Sequence, residues 1–267
     1  MSAPDAIAAA ESGLLELRGL IKRFGGVTAV NALDMTVRSG DVHALIGPNG
    51  SGKTTTLNVI SALYRSDGGS IRFDGAELSG RPAHVIAKLG VARTFQNIRL
   101  FGDLSVLENV MIGRHTRTRV GFIGALNPVG ATAREERETR ERARELLHFV
   151  GLGDVAAASA RSLPYGDQRR VEIARALAGE PRLLLLDEPA AGMNPAETDT
   201  LVMLLRRIRD NGTTLLLIEH DMNLVMSISD RITVLNFGQH IAEGPPEEIA
   251  RNPDVITAYL GGTLDAA

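Results

Sequence analysis

The feature that most constrains the fold of this chain is the sequence GPNGSGKT at positions 47–54. It matches the pattern G-x-x-x-x-G-K-[ST], in which a glycine-rich loop joins a strand to a helix. An apolar, strand-like run at 42–46 precedes it, and a helix-like run at 55–62 follows it. Because the motif and its flanks agree, the segment predicts a loop that holds the phosphates of a nucleotide.

The chemistry of this loop follows from its residue types. Glycines let the backbone wrap closely around phosphates, and successive N–H groups form an anion-binding nest at the positive end of a helix. Lys53 can reach the β- and γ-phosphates, and the Thr54 hydroxyl can ligate Mg²⁺. The predicted nucleotide-binding residues of this segment are Gly47, Pro48, Asn49, Gly50, Ser51, Gly52, Lys53, Thr54 and Thr55.

Composition narrows the class of protein. A net charge of -3 argues against a nucleic-acid backbone as the main partner, and the absence of cysteine excludes disulfides and thiolate metal sites. No apolar run approaches the ~20 residues that cross a bilayer. The segment 1–12 lacks the basic start and the long apolar stretch of a secretory signal. We therefore expect a protein of the cytoplasm.

The coarse pattern along the chain divides into three blocks. The first is rich in strand signals, with candidates at 14–17, 33–37, 42–46 and 70–73. The second, about 97–162, is predicted to be helical, with capping-box patterns at Ser105–Glu108 and Thr132–Glu135. The third alternates strands and helices, with strand candidates at 183–186, 213–218 and 231–235 and a helix at 195–209. The expected boundaries are a tail at 1–13, one α/β domain at 14–260 and a tail at 261–267.

Polar residues follow two of the predicted buried strands. The run 183–186 leads into Asp187 and Glu188, and the run ending at Ile218 leads into His220. Beside a phosphate loop, Asp187 is the expected Mg²⁺ ligand. Strand alternation would turn Glu188 to a different direction, where it can act as general base on a water. His220 is expected at the γ-phosphate or the water. The alternatives are two acids that cap a loop and a structural histidine.

With these motifs in order, the chain resembles the nucleotide-binding subunit of an ATP-binding-cassette (ABC) transporter, from about Leu14 to Leu260. The resemblance implies that Phe24 stacks on adenine and that Gln96 senses Mg²⁺ and touches the membrane partner. It implies that 163–168 is the family signature, 189–194 the D-loop and His220 the switch histidine. The metal-binding residues that it implies are Thr54, Gln96 and Asp187.

A narrower resemblance is to the larger ATPase subunit of bacterial branched-chain amino acid importers. The segments that carry it are 93–101, 165–177, 187–195, 219–222 and 252–261. The stretch 114–130 looks like an insertion typical of that subunit. Its Arg114, Arg117 and Arg119 either meet lipid headgroups or the permease, or are solvated surface charges.

The signature segment departs from the general family pattern, which has Ser-Gly-Gly-Gln. Pro164 cannot supply the serine hydroxyl that would bond the γ-phosphate held by the opposite subunit, although the Gly166 amide still can attract that phosphate. Asp167 adds a negative charge near the same helix end, and Asn194 replaces the usual D-loop aspartate. These departures bear on the strength of one composite ATP site.

The resemblance implies an α/β protein of the ABC ATPase fold, with a RecA-like P-loop core, an antiparallel β subdomain and an inserted α-helical subdomain. It implies ATP and Mg²⁺ as cofactors and catalysis by Glu188 and His220. The expected partners are two permease subunits, a second ATPase or a second copy of this chain, and indirectly a periplasmic solute-binding protein, at the inner face of the cell membrane.

Three other functions stay open at this point. One is the ATPase of a lipid or lipopolysaccharide exporter, expected to keep the fuller glycine signature. Another is a soluble cassette ATPase that acts on nucleic acid or the ribosome, which usually carries two cassettes or a long coiled-coil insertion. The last is a nucleotide-gated module without hydrolysis, against which Lys53, Asp187, Glu188 and His220 argue.

Overall fold

The computed structural model describes residues 13–116 and 131–261. The strands are β1 (Leu15–Phe24), β2 (Val27–Val37), β3 (Val42–Ile46), β4 (Gly68–Phe73), β5 (Ala76–Glu77), β6 (Val91–Arg93), β7 (Leu183–Asp187), β8 (Thr214–Ile218), β9 (Arg231–Asn236) and β10 (Gln239–Gly244). The helices are α1 (Lys53–Ile60), α2 (Ala83–Leu89), α3 (Val106–Gly113), α4 (Ala131–Phe149), α5 (Tyr165–Leu177), α6 (Pro195–Asp210), α7 (Met222–Ile228), α8 (Pro246–Ile249) and α9 (Pro253–Gly261).

The larger sheet positions the site. Its six strands run in the order β10-β9-β3-β8-β7-β6, and only β10 pairs antiparallel with its neighbour. The apolar runs of β7 and β8 are fully buried, because alternate residues enter two hydrophobic cores on opposite faces of the sheet. Ile218 lies in register with both Leu45 and Asp187. The carboxyl ends of β3, β7 and β8 therefore meet at one edge.

The smaller sheet is antiparallel, in the order β2-β1-β4-β5. Its strands are longer than the sequence predicted: β1 continues to Phe24 rather than ending at Leu17, and β2 begins at Val27 rather than Leu33. The register of β1 shifts between Leu17 and Leu20, where Gly19 has a φ of +55°. Such irregularities interrupt the alternation of apolar and polar residues, so the pattern did not show the full strands.

The helical segment confirms one predicted cap and overturns the other. Ser105 caps α3, and the reciprocal bonds of a capping box with Glu108 are both present. The proposed capping box at Thr132 is wrong, because α4 begins at Ala131 and Thr132 is already helical. The Ser/Thr-x-x-Glu pattern also occurs inside helices. Here Ala131 and the charged residues that follow Thr132 are good helix formers, so the helix includes Thr132.

The α/β architecture with an antiparallel sheet and a helical segment is confirmed. In the two described ranges, no helix combines the length and hydrophobicity needed to cross a membrane. Arg114, one of the three arginines predicted to meet headgroups, the permease or solvent, pairs with Glu180 at 2.8 Å. Arg117 and Arg119 lie outside the described residues.

A buried histidine lies at the centre of the larger sheet. His43 of β3 has no exposed surface, and its Nε2 is 2.8 Å from Thr233 Oγ1. Thr233 in turn donates to Glu243 at 3.2 Å, so the histidine Nε2–H must be the donor to Thr233. Nδ1 is left buried without a hydrogen-bond partner. Burial lowers the pKa of His43 to about 4.

This histidine predicts an acid-sensitive fold. Its folded pKa of about 4 lies below its ordinary value of 6.5, so the unfolded chain binds the extra proton between those values. Its contribution to the free energy of unfolding is full above pH 6.5 and falls by about 3 kcal/mol as pH drops towards 4. Denaturant titrations of the wild type and His43→Gln across this window should differ in slope, because glutamine binds no proton. Identical pH dependence would contradict the prediction.

A candidate nucleotide-binding and hydrolysis site

The loop between β3 and α1 requires glycine at two close contacts. Gly47 has a φ of +148°, and a Cβ there would lie 2.1 Å from the Leu235 carbonyl oxygen. Gly52 has a φ of +98°, and its Cβ would lie 2.3 Å from the Ala29 carbonyl oxygen. Side chains are excluded by both conformation and space. The loop is thereby fixed against β9 and β2, with its backbone free of side-chain obstruction.

The remaining loop residues differ in exposure. Asn49 and Gly50 are exposed, whereas Ser51 is buried, and its Oγ has no hydrogen-bond partner in the described structure. Pro48 and Thr55 are half-buried. The loop thus presents an exposed backbone together with an unsatisfied buried hydroxyl, a combination that suits a polar, oxygen-rich ligand.

Lys53 begins α1 and folds back over the loop. Its Nζ donates to the carbonyl oxygens of Gly47 at 2.7 Å and Pro48 at 2.9 Å. Burial lowers the pKa of Lys53, and the negative charges of Glu188 and Asp187 oppose that change. The two bonds to carbonyl oxygens hold the ammonium beside the glycine-rich backbone, where phosphate oxygens can replace the carbonyls as acceptors.

Asp187 connects the loop to the sheet edge. Its Oδ1 accepts from Thr54 Oγ1 at 3.5 Å, and its Oδ2 accepts from Arg93 Nη2 at 2.8 Å. Burial raises the pKa of Asp187, whereas the guanidinium of Arg93 lowers it. Arg93 also donates to Asn58 and Ser61, both at 2.8 Å. The arginine thus balances the buried carboxylate and leaves Oδ1 on the side of Thr54.

The donor chemistry at Thr54 and Asp187 fits Mg²⁺. A hydroxyl and a carboxylate are hard oxygen ligands, and Mg²⁺ typically takes one or two protein ligands together with phosphate oxygens and waters. In the described ranges no group of three or more His, Cys, Asp or Glu side chains has metal-site geometry. A site completed by a nucleotide needs no such group.

Glu188 leaves the strand in an unusual conformation. It has a φ of +48°, and its N–H donates to the Ile218 carbonyl at 3.0 Å. Since β7 ends at Asp187, this left-handed backbone, and not strand alternation, separates the directions of the two acids. A non-glycine residue held there stores strain of about 1–3 kcal/mol, which is common at functional sites.

Two predicted site residues lie around the Glu188 carboxylate. Gln96 Nε2 donates to its Oε2 at 2.8 Å. His220 Nδ1 lies 3.9 Å from the same oxygen, and its side chain is 69% exposed. The structure therefore brings Gln96 to Glu188, whereas the sequence placed it at the metal. Gln96 Oε1 is not used in that contact.

Glu219 was missed by the sequence analysis as a site residue. It is buried, accepts from the Ala190 N–H at 2.8 Å and the His220 N–H at 3.1 Å, and has a pKa raised by burial. It ties the loop after β7 to the end of β8. The sequence shows that Glu219 follows a buried strand. Its role depends on the contact with Ala190, which is 29 positions away in sequence and could not be predicted from the local pattern.

Phe24 and Gly166 lie apart from the carboxylate cluster. Phe24 ends β1 and is 44% exposed, with its ring edge-on to Tyr64 at 5.2 Å between centroids. The Lys22 ammonium lies over the same ring, 5.2 Å from its centroid. Gly166 is buried in the first turn of α5, where a Cβ would lie 3.0 Å from Glu197 Oε1. The prediction that Gly166 meets nucleotide on an opposite subunit stays a prediction.

Comparison with known protein families identifies the family of the chain. The family model described as "ABC transporter" matches residues 30–191, more than half of the chain. A second model, "Branched-chain amino acid ATP-binding cassette transporter", matches residues 239–265. The chain therefore belongs to the ABC transporter family and is an ATPase of that family.

Relatives and solved structures agree with this assignment. The chain is 50% identical over 249 residues to the high-affinity branched-chain amino acid transport ATP-binding protein BraF of Pseudomonas aeruginosa, covering 93% of this chain and 98% of that protein. It is 47% identical to LivG of Escherichia coli over the same shares. A nucleotide-free ABC transporter cassette superposes with a TM-score of 0.81 at 30% identity, covering 92% and 98% of the two chains.

The position of Lys53 predicts that its removal disrupts nucleotide binding. Lys53→Ala should weaken ATP binding by about 1.5–3 kcal/mol, the size of a charge-assisted contact, and abolish turnover without unfolding the chain. Lys88→Ala, which removes an exposed lysine at the end of α2, is the matched control. Nucleotide titration and phosphate release measure the two effects. Unchanged ATPase activity in folded Lys53→Ala would contradict the assignment of the loop.

Proposed function

We propose that this chain is the ATP-hydrolysing subunit that powers an importer of branched-chain amino acids. The observation that carries the proposal is the convergence of the P-loop, Asp187, Glu188 and His220 at one sheet edge, in a chain about half identical to ATPases named for that transport. The match of residues 239–265 to the branched-chain cassette model adds support at the other end of the chain.

In this proposal the phosphates of ATP lie on the backbone of 47–55, with Lys53 at the β- and γ-phosphates and Phe24 against adenine. Thr54 and Asp187 would hold Mg²⁺, and Gln96 would be a further ligand, since its Oε1 is not engaged with Glu188. When bound, the ion neutralises charge on the phosphate oxygens. Arg93 opposes the rise in the pKa of Asp187 that burial causes, and its bond to Oδ2 leaves Oδ1 on the side of Thr54.

Glu188 acts as the general base. Gln96 occupies its Oε2, which leaves Oε1 to accept a proton from an attacking water. The left-handed backbone at Glu188 holds the carboxylate away from Asp187. His220 approaches the same carboxylate and serves the γ-phosphate or the water. Glu219 fixes the backbone of His220 and of the loop after β7.

Hydrolysis needs a second subunit in this proposal. The Gly166 amide at the start of α5 faces the nucleotide of the opposite subunit in a head-to-tail dimer, either a sister ATPase or another copy of this chain. ATP closes the dimer and phosphate release reopens it. A solved cassette with a TM-score of 0.73 and 26% identity, covering 87% of this chain and 98% of that chain, is a dimer bound to ADP and phosphate.

An apolar groove next to Gln96 suits the permease. A cavity of about 540 Å³ is lined by residues of α2, β6, α3, α5 and the adjoining loops, among them Phe95, Phe101 and Ile112. Phe101 is 54% exposed and Ile112 is 40% exposed. Exposed apolar side chains around a concave surface are typical of a protein interaction site. In the proposed dimer, this groove on each ATPase subunit binds one of two permease subunits. The chain then lies at the inner face of the membrane, and a solute-binding protein acts from the other side.

The proposed function also assigns a role to each part of the chain. Residues 14–260 form the ATPase domain, and the helical part at about 97–162 is the subdomain that moves between the permease and the opposite nucleotide.

The chemical step predicts a trapped state. Glu188→Gln keeps shape and hydrogen bonding but removes the base and one negative charge, so hydrolysis should fall about 10²–10⁴-fold. ATP should still bind, since Lys53 and Asp187 are untouched, and a closed ATP-bound dimer should accumulate on gel filtration. His220→Ala should slow turnover with less trapping. Hydrolysis at the native rate by Glu188→Gln would remove Glu188 from the role of base.

Assembly provides the test of the transport function. Purified from native membranes, the chain should bring two permeases and an ATPase partner, and solute-binding protein loaded with leucine should stimulate its ATPase activity. Phe101→Glu should lose the permeases and this stimulation, because a charge enters the apolar groove. Met203→Glu, at an exposed apolar position on α6, is the control. Recovery with ribosomes or nucleic acid and no membrane subunits would contradict the proposal.

A further inference from the structure

Among the described residues, the largest fully buried side chain is a charged one. Arg169 lies in α5, one turn after Tyr165, and none of its surface is exposed. Its position in the sequence gave no sign of this, because it stands between Gln168 and Arg170 in a polar run at the start of a helix. A guanidinium is buried only where fixed acceptors replace water.

The acceptors of Arg169 belong mainly to the segment that carries Gln96. Nη1 donates to the Phe95 carbonyl at 2.6 Å, and Nη2 donates to the Gln96 carbonyl at 2.7 Å. Nη1 also donates to Glu172 Oε2 at 2.7 Å. The planar fork therefore binds two successive peptide groups and a carboxylate at once, which a lysine ammonium cannot do in the same geometry.

Glu172 completes the contact from the other side. It is also buried, its Oε2 accepts from Arg169, and its Oε1 lies 3.8 Å from Arg175 Nη2. Burial raises the pKa of Glu172, and the guanidinium of Arg169 opposes that shift. Glu172 thus orients the guanidinium of Arg169, which in turn holds the Phe95 carbonyl. One turn of α5 fixes the main chain that ends in Gln96.

We propose that Arg169 is a positioning residue for ATP hydrolysis: by binding the Phe95 and Gln96 carbonyls it sets the Gln96 amide against Glu188. The inference rests on the proposed role of Glu188. Gln96 Nε2 donates to Glu188 at 2.8 Å, so any movement of the Gln96 main chain changes the placement of the base. Gly166 lies in the first turn of the same helix, so the residue facing the opposite nucleotide and the residue orienting the base are held by one element.

Stability alone does not account for such a pair. Removing a guanidinium and a carboxylate from water is costly, and apolar side chains of similar volume often fill such a site equally well. What apolar side chains cannot supply is the fork of bonds to the two carbonyls. This difference separates a positioning role from a structural one and defines the variant to test.

The test is Arg169→Met combined with Glu172→Leu in the full-length chain, measured alone and in its membrane complex. The pair removes both buried charges together, so the chain should fold with circular dichroism close to the wild type. The melting temperature should fall modestly, because the Phe95 and Gln96 carbonyls lose a donor and Arg175 loses a charge partner. The KM for ATP should also stay close, because the P-loop is untouched. The kcat should fall by about 10–100-fold, the effect of a small misplacement of a catalytic group. Arg169→Lys should give an intermediate kcat.

Arg170→Met is the matched control on the same helix. Arg170 also joins an acid and a carbonyl, but its hydrogen bonds in the described structure go to Asp167 at 2.6 Å and Val150 at 2.9 Å rather than to Phe95 or Gln96. Its loss should leave kcat unchanged. A kcat drop in Arg170→Met equal to that of the Arg169 variant would show a general effect of α5 and overturn the inference.

A cycle with Gln96→Ala decides whether Arg169 acts through that glutamine. If it does, Gln96→Ala lowers kcat alone but adds little in the Arg169→Met, Glu172→Leu background. Full additivity, or an unchanged kcat in the folded double variant, would overturn the inference. Failure of the proposed function is a separate outcome, since Glu188→Gln would then hydrolyse ATP at the native rate.

Discussion

The structure depends on three parallel strands that end together. Leu45 and Asp187 both stand opposite Ile218, so β3, β7 and β8 deliver their following residues to a single edge. Both faces of these strands are buried, and a slip in register would expose apolar side chains. The register that protects the two cores therefore also fixes the phosphate loop, the carboxylates and the histidine relative to each other.

Charge balance is the second constraint on this edge. The buried carboxylates of Asp187, Glu219 and Glu172 all have pKa values raised by burial, so each needs a donor to stay ionised. Arg93 serves the first, backbone N–H groups serve the second and Arg169 serves the third. Carboxylates thus lie next to the proposed position of the ATP phosphates. The arginines and backbone N–H groups that bind these carboxylates stabilise the arrangement.

The sequence predicted the parts of the site that lie within one segment. The phosphate loop, the acids at the end of β7 and the histidine after β8 were predicted because each follows an apolar run that can be recognised within one segment. Contacts between distant segments were not legible: Arg93 meets Asp187 94 positions away, and Arg169 meets Gln96 73 positions away. The left-handed backbone of Glu188 was missed for a related reason, since tertiary packing imposes it. The full length of β1 was not predicted, because its register shifts interrupt the alternation of apolar and polar residues.

One measurement tests the central claim most directly: uptake of labelled leucine by proteoliposomes that contain the permeases and this ATPase, with binding protein on the opposite side. The account predicts that leucine accumulates when ATP is supplied at the ATPase face, and that a non-hydrolysable analogue gives none. ATP hydrolysis at full rate without movement of leucine, or leucine movement that is indifferent to ATP, would contradict it.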